Sequence, residues 1–281
     1  MKLRRWRTLA LWAAVPLWGC LTENPNSMIV LGITLPEVGD QGTCTVSQSD
    51  CSTGCLTTGA VDVMLHQYNI QDFSYSAVDY TVAVMVRNNI DIGSTTTGGD
   101  AIFMQRIEVD LEYLYAPEDP AYVQGVADAI NSNVAFYTAT SGTVEAGDVR
   151  TYTNIPLLPA PALQEMAESI CPRGLNPPCP PGQSSPFTHP VRATLRFVGD
   201  RGNVPVESNG YKFPIQICKG CLALGIDNPQ LLCDGSSPAT VGLGSFCGHP
   251  CNRMPFDVPV TCCMNGSNPI CPATSISDCA Q

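Results

Sequence analysis

Residues 106–114 read RIEVDLEYL, in which charged side chains alternate with large apolar ones. Successive side chains of a β-strand point to opposite faces of the sheet, so Ile107 and Val109 share one face. Glu108 and Asp110 share the other. One face is therefore predicted to be buried and the other to lie in water, a pattern that is typical of antiparallel sheets.

The same alternation recurs along the chain. It is clear over 80–87, 191–197 and 211–217, and weaker over 61–68, 134–139 and 149–155. Pro214 lacks an amide donor, so the strand over 211–217 is expected at a sheet edge or to make its ladder bonds elsewhere. Together these strands predict a mainly β fold, an antiparallel β-sandwich with one short helix.

The predicted helix follows Pro161, which suits a first helical turn, and its apolar residues recur at helical spacing from 163 to 170. The next stretch, 171–190, is rich in proline and cannot form the interior of a strand or helix. It predicts a rigid loop that leads into the following strand.

The N-terminus has the three parts of a secretory signal peptide. A basic start is followed by an apolar region over 8–19, which is too short to cross a bilayer as a helix. The region ends in Leu17-Trp18-Gly19-Cys20, which resembles the lipobox of bacterial lipoproteins. Cys20 is therefore predicted to carry a lipid. A cysteine that follows an ordinary signal peptide by coincidence is the alternative.

Four segments follow from these patterns. We predict a lipoprotein signal peptide over 1–19 and a tether with a cysteine cluster and little regular structure over 20–55. A β-sandwich domain is predicted over 56–217, followed by a disulfide-rich, irregular tail over 218–281. The tail has too few large apolar residues to build its own core, so disulfides are expected to hold it.

Cysteine usage agrees with export. The chain has fifteen cysteines, and an odd number in an exported chain indicates one thiol with a separate fate. With Cys20 lipidated, the remaining fourteen are expected to pair in an oxidising compartment, with their connectivity open. These disulfide candidates are Cys44, Cys51, Cys55, Cys171, Cys179, Cys218, Cys221, Cys233, Cys247, Cys251, Cys262, Cys263, Cys271 and Cys279. If all are bridged and Cys171 pairs with Cys179, a bond must join the front of the protein to its tail.

Charge and aromatic content exclude some partners. The formal net charge is −11 at pH 7, and loss of the basic signal peptide would make the chain more acidic. Nucleic acid is therefore not predicted as a partner, because phosphate binding needs positive charge. All three tryptophans, Trp6, Trp12 and Trp18, lie in the signal peptide. The exported chain would lack the aromatic platform that most often binds sugars or quaternary ammonium groups.

A two-residue spacing shared by zinc sites and thiol oxidoreductases occurs in Cys218-Lys219-Gly220-Cys221. A redox pair is expected at a helix N-terminus, whereas this pair follows a β pattern and precedes more cysteines. Zinc would need reduced thiolates in an oxidising space. The context favours a structural disulfide, with zinc binding and thiol exchange as alternatives.

Other candidates for chemistry are scattered. His66 falls in a predicted strand, His189 in the proline-rich loop, where it is expected to be exposed, and His249 between two cysteines of the tail. Glu118 and Asp119 could act as an acid–base pair on a glycosidic bond, but a solvated acidic surface is the simpler interpretation. No catalytic residue, metal ion or cofactor is therefore predicted.

The overall layout resembles cysteine-rich lipoproteins of the myxobacterial type. The features that carry the resemblance are the lipobox at Cys20, the strand end VRNN over 86–89, the stretch CKGCL over 218–222, and the adjacent Cys262-Cys263. The resemblance implies an envelope location and no particular activity. Leu21 is not the aspartate that commonly retains lipoproteins at the inner membrane, which favours the outer membrane.

The sequence thus predicts a lipid-anchored, non-enzymatic protein of the cell envelope. It would be held at the membrane through Cys20 and would serve as a binding or structural module for an envelope or surface protein. Loops and the tail are expected to carry the contacts, while the sheet supplies rigidity. A hydrolase that uses paired carboxylates, and a thiol-exchange protein that uses Cys218 and Cys221, are the alternatives.

Overall fold

The structure is a computed structural model, which describes residues 27–34, 37–38, 44–45, 55–63, 79–90, 100–170, 188–224, 257, 260–261, 263–265 and 268–270. Within these residues the two helices are α1 (Gln124–Ser132) and α2 (Ala160–Ile170). The strands are β1 (Met28–Thr34), β2 (Glu37–Val38), β3 (Cys44–Thr45), β4 (Cys55–Leu56), β5 (Gly59–Asp62), β6 (Tyr80–Asn88), β7 (Ile102–Tyr113), β8 (Ala135–Val144), β9 (Val149–Leu158), β10 (His189–Arg201), β11 (Val204–Glu207), β12 (Tyr211–Cys218), β13 (Ala223–Leu224), β14 (Val260–Thr261), β15 (Cys263–Asn265) and β16 (Asn268–Ile270).

Two large sheets dominate the described residues. One has the strand order β4-β1-β6-β9, and all its pairs are antiparallel. The other has the order β5-β12-β10-β7-β8, with β11 also paired to β10. In this second sheet β5 runs parallel to β12, and the other pairs are antiparallel. The prediction of a mainly β chain with largely antiparallel pairing is confirmed.

The stretch that predicted the fold lies in β7, where it pairs with β10 and β8. Ile107, Val109 and Leu111 are buried, as the alternation predicts, and Tyr113 is half-buried. Leu114 lies just past the end of β7 and is 41% exposed. On the opposite face Arg196 forms an ion pair with Asp110 at 2.9 Å, and Arg192 forms one with Glu112. These cross-strand pairs join β7 to β10 on the solvent side of the sheet.

The two large sheets contribute to one apolar core. Buried side chains from both belong to a single cluster. Tyr152 of β9 and Phe197 of β10 bring the sheets into direct contact, with ring centroids 5.5 Å apart. Asn209 adds a polar link, because its side-chain oxygen accepts a hydrogen bond from the Val30 amide of β1 at 3.0 Å.

The chain has two described helices, so the prediction of one short helix is wrong in number. The predicted helix is α2, and Pro161 lies in its first turn as expected. The other, α1, contains only two large buried residues, Val126 and Ile130, and the rest of its buried face is alanine. So few large apolar residues make a weak helical pattern beside strong strand patterns. The helices pack closely, because a side chain at Gly125 would clash with Ser169.

β1 corrects the expectation of little regular structure between residues 20 and 55. It lies between β4 and β6 in the four-stranded sheet. Its sequence MIVLGIT is a short apolar run, rich in the β-branched residues that favour strands. The run is short, and the residues around it are polar and include cysteines. The composition of the whole segment therefore does not indicate a strand.

Of the two alternatives for the strand with Pro214, the sheet edge is wrong, since β12 lies between β10 and β5. The pairing with β5 begins at Ile215, one residue after Pro214. The Pro214 carbonyl accepts a hydrogen bond from the Thr58 hydroxyl at 3.2 Å, so it faces the β5 side. In an extended strand the nitrogen and carbonyl of one residue point to the same side. The missing donor of Pro214 therefore costs no bond to β10.

Several predictions lie outside the described residues. These are the signal peptide over 1–19, most of the proline-rich loop, the end of the predicted strand over 61–68, and most of the tail. Three small two-stranded sheets are described, β2-β3, β13-β14 and β15-β16, and the last two include tail residues.

Replacing Phe197 with alanine tests the shared core. Phe197 is 0% exposed, and removing a buried aromatic ring is expected to lower the free energy of unfolding by about 3–5 kcal/mol. The measurement is denaturant unfolding of the disulfide-intact protein. Phe103→Ala is the matched control, because Phe103 is 55% exposed and its loss should cost less than about 1 kcal/mol. Equal effects of the two changes would contradict a core that joins the sheets at Phe197.

Candidate functional site

The predicted lipidation residue, Cys20, lies outside the described residues, as do most of the disulfide candidates. For Cys44 and Cys263 the structure describes only the backbone. The three cysteines with described side chains, Cys55, Cys218 and Cys221, are all in disulfides. Cys218 and Cys221 are bonded to each other. The preferred interpretation of this motif, a disulfide, is confirmed.

The bonded pair forms a tight turn at the end of β12. Their Cα atoms are 5.8 Å apart, with Lys219 and Gly220 between them. Gly220 has a φ of +75°, in the left-handed region that glycine adopts without steric cost. Cys218 is the last residue of the strand and is buried, whereas Cys221 is exposed. The turn therefore presents one sulfur to solvent and places the other in the protein.

A buried carboxylate, that of Asp62, stabilises this turn through hydrogen bonds. Asp62 is the last residue of β5 and is the register partner of Cys218. It is 1% exposed. Its two oxygens accept hydrogen bonds from the Gly220 and Leu222 amides, each at 2.9 Å. A buried carboxylate needs such donors, since an unsatisfied one is costly. Sequence reasoning missed Asp62, although a lone aspartate in the apolar run AVDVML is a signal for a buried polar role.

Asp62, Cys218 and Cys221 are also close enough to share a metal ion. One ligand atom from each lies within 4.8 Å of the others. A thiolate is the form of cysteine that binds metals, and in this structure both sulfurs are in the disulfide. The group is therefore a metal ligand set only after reduction.

His189 corrects the expectation of an exposed loop residue. It begins β10 and is 4% exposed. Its Nδ1 lies 2.9 Å from the Tyr113 hydroxyl, within hydrogen-bond distance. Burial lowers the pKa of His189, so the ring is neutral at pH 7. Tyr113 also packs against Tyr115 and Tyr122, with centroids 5.8 and 5.7 Å away. His189 is thus a hydrogen-bonded member of an aromatic cluster.

The other sequence candidates form no shared site in the described residues. Asp119 accepts a hydrogen bond from the Ala116 amide at 2.7 Å and so closes a surface turn. Its neighbour Glu118 is exposed. His66 and His249 lie outside the described residues.

A second carboxylate, that of the half-buried Asp257, joins the tail to the domain. Asp257 accepts hydrogen bonds from the Ala60 amide at 2.5 Å and from the buried Tyr80 hydroxyl at 2.8 and 2.9 Å. Its own amide donates to the Ala60 carbonyl at 3.0 Å. Burial raises the pKa of Asp257 to about 6, against the opposing effect of these hydrogen bonds. Burial, with the nearby Asp257 charge, raises the pKa of Tyr80 well above its usual value, so its hydroxyl stays protonated.

No protein-family model, curated protein or solved structure matches this chain. The resemblance to cysteine-rich lipoproteins therefore stays a prediction from the residues quoted for it. Among the described helices, none is both long and apolar enough to cross a membrane.

The Asp257 contact predicts a pH dependence of stability. An aspartate has an ordinary pKa of 3.8, and the folded value is about 6. The folded state binds the proton of Asp257 more tightly than the unfolded state does. The resulting contribution of Asp257 to the free energy of unfolding is therefore complete below about pH 4 and is lost as the pH rises through about 6. The free-energy difference between wild type and Asp257→Asn should change by about 2–3 kcal/mol across that window, in favour of the variant at higher pH.

Denaturant unfolding at a series of pH values measures this difference. The control is Asp148→Asn, because Asp148 has an exposed side chain and should leave the pH dependence of wild type unchanged. A constant difference between wild type and Asp257→Asn from pH 4 to pH 7 would contradict the assigned role of Asp257.

Proposed function

We propose that the protein is a lipid-anchored, non-enzymatic protein of the cell envelope that binds an envelope or surface protein. The observation that supports binding is the edge of β8, the last strand of the larger sheet, which no other strand of the described residues pairs. An unpaired strand edge offers a row of amides and carbonyls to which an extended segment of a partner can add as a further strand. The rest of the sheet supplies the rigid support.

We also propose that the two large sheets stack face to face as a sandwich. The support is their common apolar cluster and the contact between Tyr152 and Phe197. Such stacking leaves the outer face of each sheet and its edge strands on the surface. The free edge of β8 then belongs to a fixed scaffold.

The hydrogen bonds between β7 and β8 define which backbone groups face outward. The Leu111 amide donates to the Val134 carbonyl at 2.7 Å, and Phe136 is paired with Val109 two residues further along. Since bonding alternates along an antiparallel pair, the groups of Phe136 face β7 and those of Tyr137 and its alternate neighbours face the open edge. The outward-facing residues at this end are Ala135, Tyr137 and Ala139.

β8 lacks the charged residues and the proline that often protect an edge strand, and its one register irregularity lies beyond Ala139, before Gly142. Its sequence, AFYTATSGTV, contains no charged residue and no proline. Tyr137 is 74% exposed, and an exposed tyrosine suits protein interfaces because its ring is large and its hydroxyl can bond. Among the described side chains, Arg150 covers the far end, where it donates to the Thr143 carbonyl at 2.9 Å. The regular, open part of the edge therefore runs from Ala135 to Ala139.

The membrane attachment is proposed from the sequence. A cleaved signal peptide over 1–19 would expose Cys20 for lipidation, and Leu21 favours the outer membrane. The segment from Leu21 to the first residues of β1 would be short. The domain would then be held close to the membrane, where its partners are envelope or surface proteins.

Replacing Cys20 with alanine tests the anchor. The variant should move from the membrane to the soluble fraction of cells, because it cannot carry the lipid that holds wild type. Cys44→Ala is the control, since it also removes a cysteine near the N-terminus but should stay with the membrane. Mass spectrometry of the wild-type N-terminal peptide should show an acylated Cys20, and an unmodified peptide would contradict the anchor.

Replacing Ala139 with proline tests the free edge. The outward-facing amide of Ala139 is not needed by β7, so the change should alter the free energy of unfolding by less than about 1 kcal/mol. A photo-cross-linking amino acid at Tyr137 should form a defined adduct in native membranes, and Ala139→Pro should reduce its yield at least tenfold.

The matched control places the same amino acid at Phe103, an exposed aromatic position of the inner strand β7. Equal adduct yields at the two positions, or a yield at Tyr137 that Ala139→Pro leaves unchanged, would contradict binding through the β8 edge.

A further inference from the structure

The disulfide between Cys218 and Cys221 is placed for reaction with a thiol. Thiol–disulfide exchange requires that a thiolate reach one sulfur in line with the bond. Cys221 is exposed, whereas Cys218 is buried at the end of β12. Of the two residues Cys221 is the one at the surface, which favours attack at its Sγ and departure of Sγ of Cys218.

The bond contributes little to the fold by restricting the unfolded chain. In the chain-entropy account, a disulfide stabilises more when it closes a longer loop. The bonded residues here are only three positions apart, so the loop is among the shortest that a disulfide can close. A structural role by itself gives little reason for this bond.

The turn is held by groups other than the bond. The Asp62 carboxylate accepts hydrogen bonds from Gly220 and Leu222, one inside the turn and one directly after it. Parallel pairing of Cys218 with β5 places this carboxylate. These contacts do not involve sulfur and persist when the bond is broken. The two sulfurs consequently stay close in the reduced protein, which makes the bond easy to form again.

The buried sulfur also has surroundings that suit a thiol. Sγ of Cys218 lies 3.5 Å from the Val61 carbonyl oxygen, within reach for a thiol that donates a hydrogen bond. The Asp62 carboxylate is within 4.8 Å of the sulfurs.

We propose that Cys218 and Cys221 form a reversible thiol–disulfide exchange site, with Asp62 as its positioning residue. The co-reactant is a thiol compound such as glutathione. Its thiolate attacks Sγ of Cys221 and forms a mixed disulfide, while the bond to Cys218 breaks. Sγ of Cys218 takes the electron pair and then a proton from solvent. A second co-reactant thiol attacks the co-reactant sulfur and releases Cys221 as a thiol. Two thiols are oxidised to one disulfide, and the protein disulfide is reduced by two electrons.

The first test uses the full-length oxidised protein in mixtures of reduced and oxidised glutathione. Free thiols are alkylated at each ratio, and each cysteine is scored by mass spectrometry. Cys218 and Cys221 should become alkylated together at a ratio of reduced to oxidised glutathione at least tenfold lower than Cys55 requires. Circular dichroism should show that the fold is retained. Alkylation of this pair only together with Cys55, or only after unfolding, would overturn the proposal.

The second test compares single replacements of the two cysteines. Cys218→Ser leaves the exposed thiol of Cys221, and Cys221→Ser leaves the buried thiol of Cys218. The first variant should form a mixed disulfide with oxidised glutathione at least tenfold faster than the second. Equal rates, or the opposite order, would overturn the assignment of Cys221 as the attacked sulfur.

The third test replaces Asp62 with asparagine. The amide oxygen can accept one of the two hydrogen bonds, but the amide nitrogen would face the other donor. Loss of one charge-assisted hydrogen bond should hold the two sulfurs together less well and so make the disulfide easier to reduce. The reduced pair should then accumulate at a roughly tenfold lower ratio of reduced to oxidised glutathione.

Asp119→Asn is the matched control, because Asp119 also closes a turn through a backbone amide. It should leave the exchange equilibrium of Cys218 and Cys221 unchanged. An Asp62→Asn protein that exchanges like wild type would overturn the positioning role. If that variant does not fold, the glutathione titration of wild type and the two cysteine variants decide the proposal.

Discussion

The burial of one face of β10 is the constraint on which the fold depends. Val191, Ala193, Leu195 and Phe197 are all fully buried, and they lie where the larger sheet meets the other elements of the core. β10 also pairs with β7, β11 and β12. A slip of one residue in any of these pairings would turn the apolar face to solvent. The register of the larger sheet is therefore set by the core.

Buried polar groups join the parts of the molecule that the core does not. Asn88 donates from its side chain to the Asp100 and Val144 carbonyls at 2.8 and 3.0 Å, and so ties the end of β6 to the larger sheet. Asp62 and Asp257 do the same for the turn after β12 and for the tail. Each of these contacts is specific, because a buried polar group without a partner would be costly. These polar contacts fix the relative positions of segments that apolar packing alone does not fix.

The disulfide turn and the edge of β8 belong to the same sheet, but one depends on a covalent bond and the other on backbone hydrogen bonding. The edge of β8 presents backbone groups, and we propose that a partner binds to them. The turn at Cys218 and Cys221 holds a disulfide, for which exchange is proposed, and the Asp62 carboxylate bonds to the backbone of this turn. Both rely on the rigidity of the larger sheet, since β12 ends at one and β8 forms the other.

The strands over 106–114, 191–197 and 211–217 were predictable, because a period of two depends only on local order along the chain. So were α2 with its proline and the oxidised state of Cys218 and Cys221, although not their bond to each other. The missed features depend on distant partners. α1 has too few large apolar residues to give a pattern, and β1 is a short run whose place depends on β4 and β6.

What the sequence by itself determined is thus the local content of the chain, namely the strands with a strong alternation, the helix after Pro161 and the acidic charge. The tertiary structure alone decided that His189 is buried against Tyr113, that Pro214 lies in an inner strand, and that Asp62 holds the cysteine turn. In each case the deciding contact joins residues far apart in the chain. Its free energy depends on burial and hydrogen-bond geometry, which arise only when the sheets assemble.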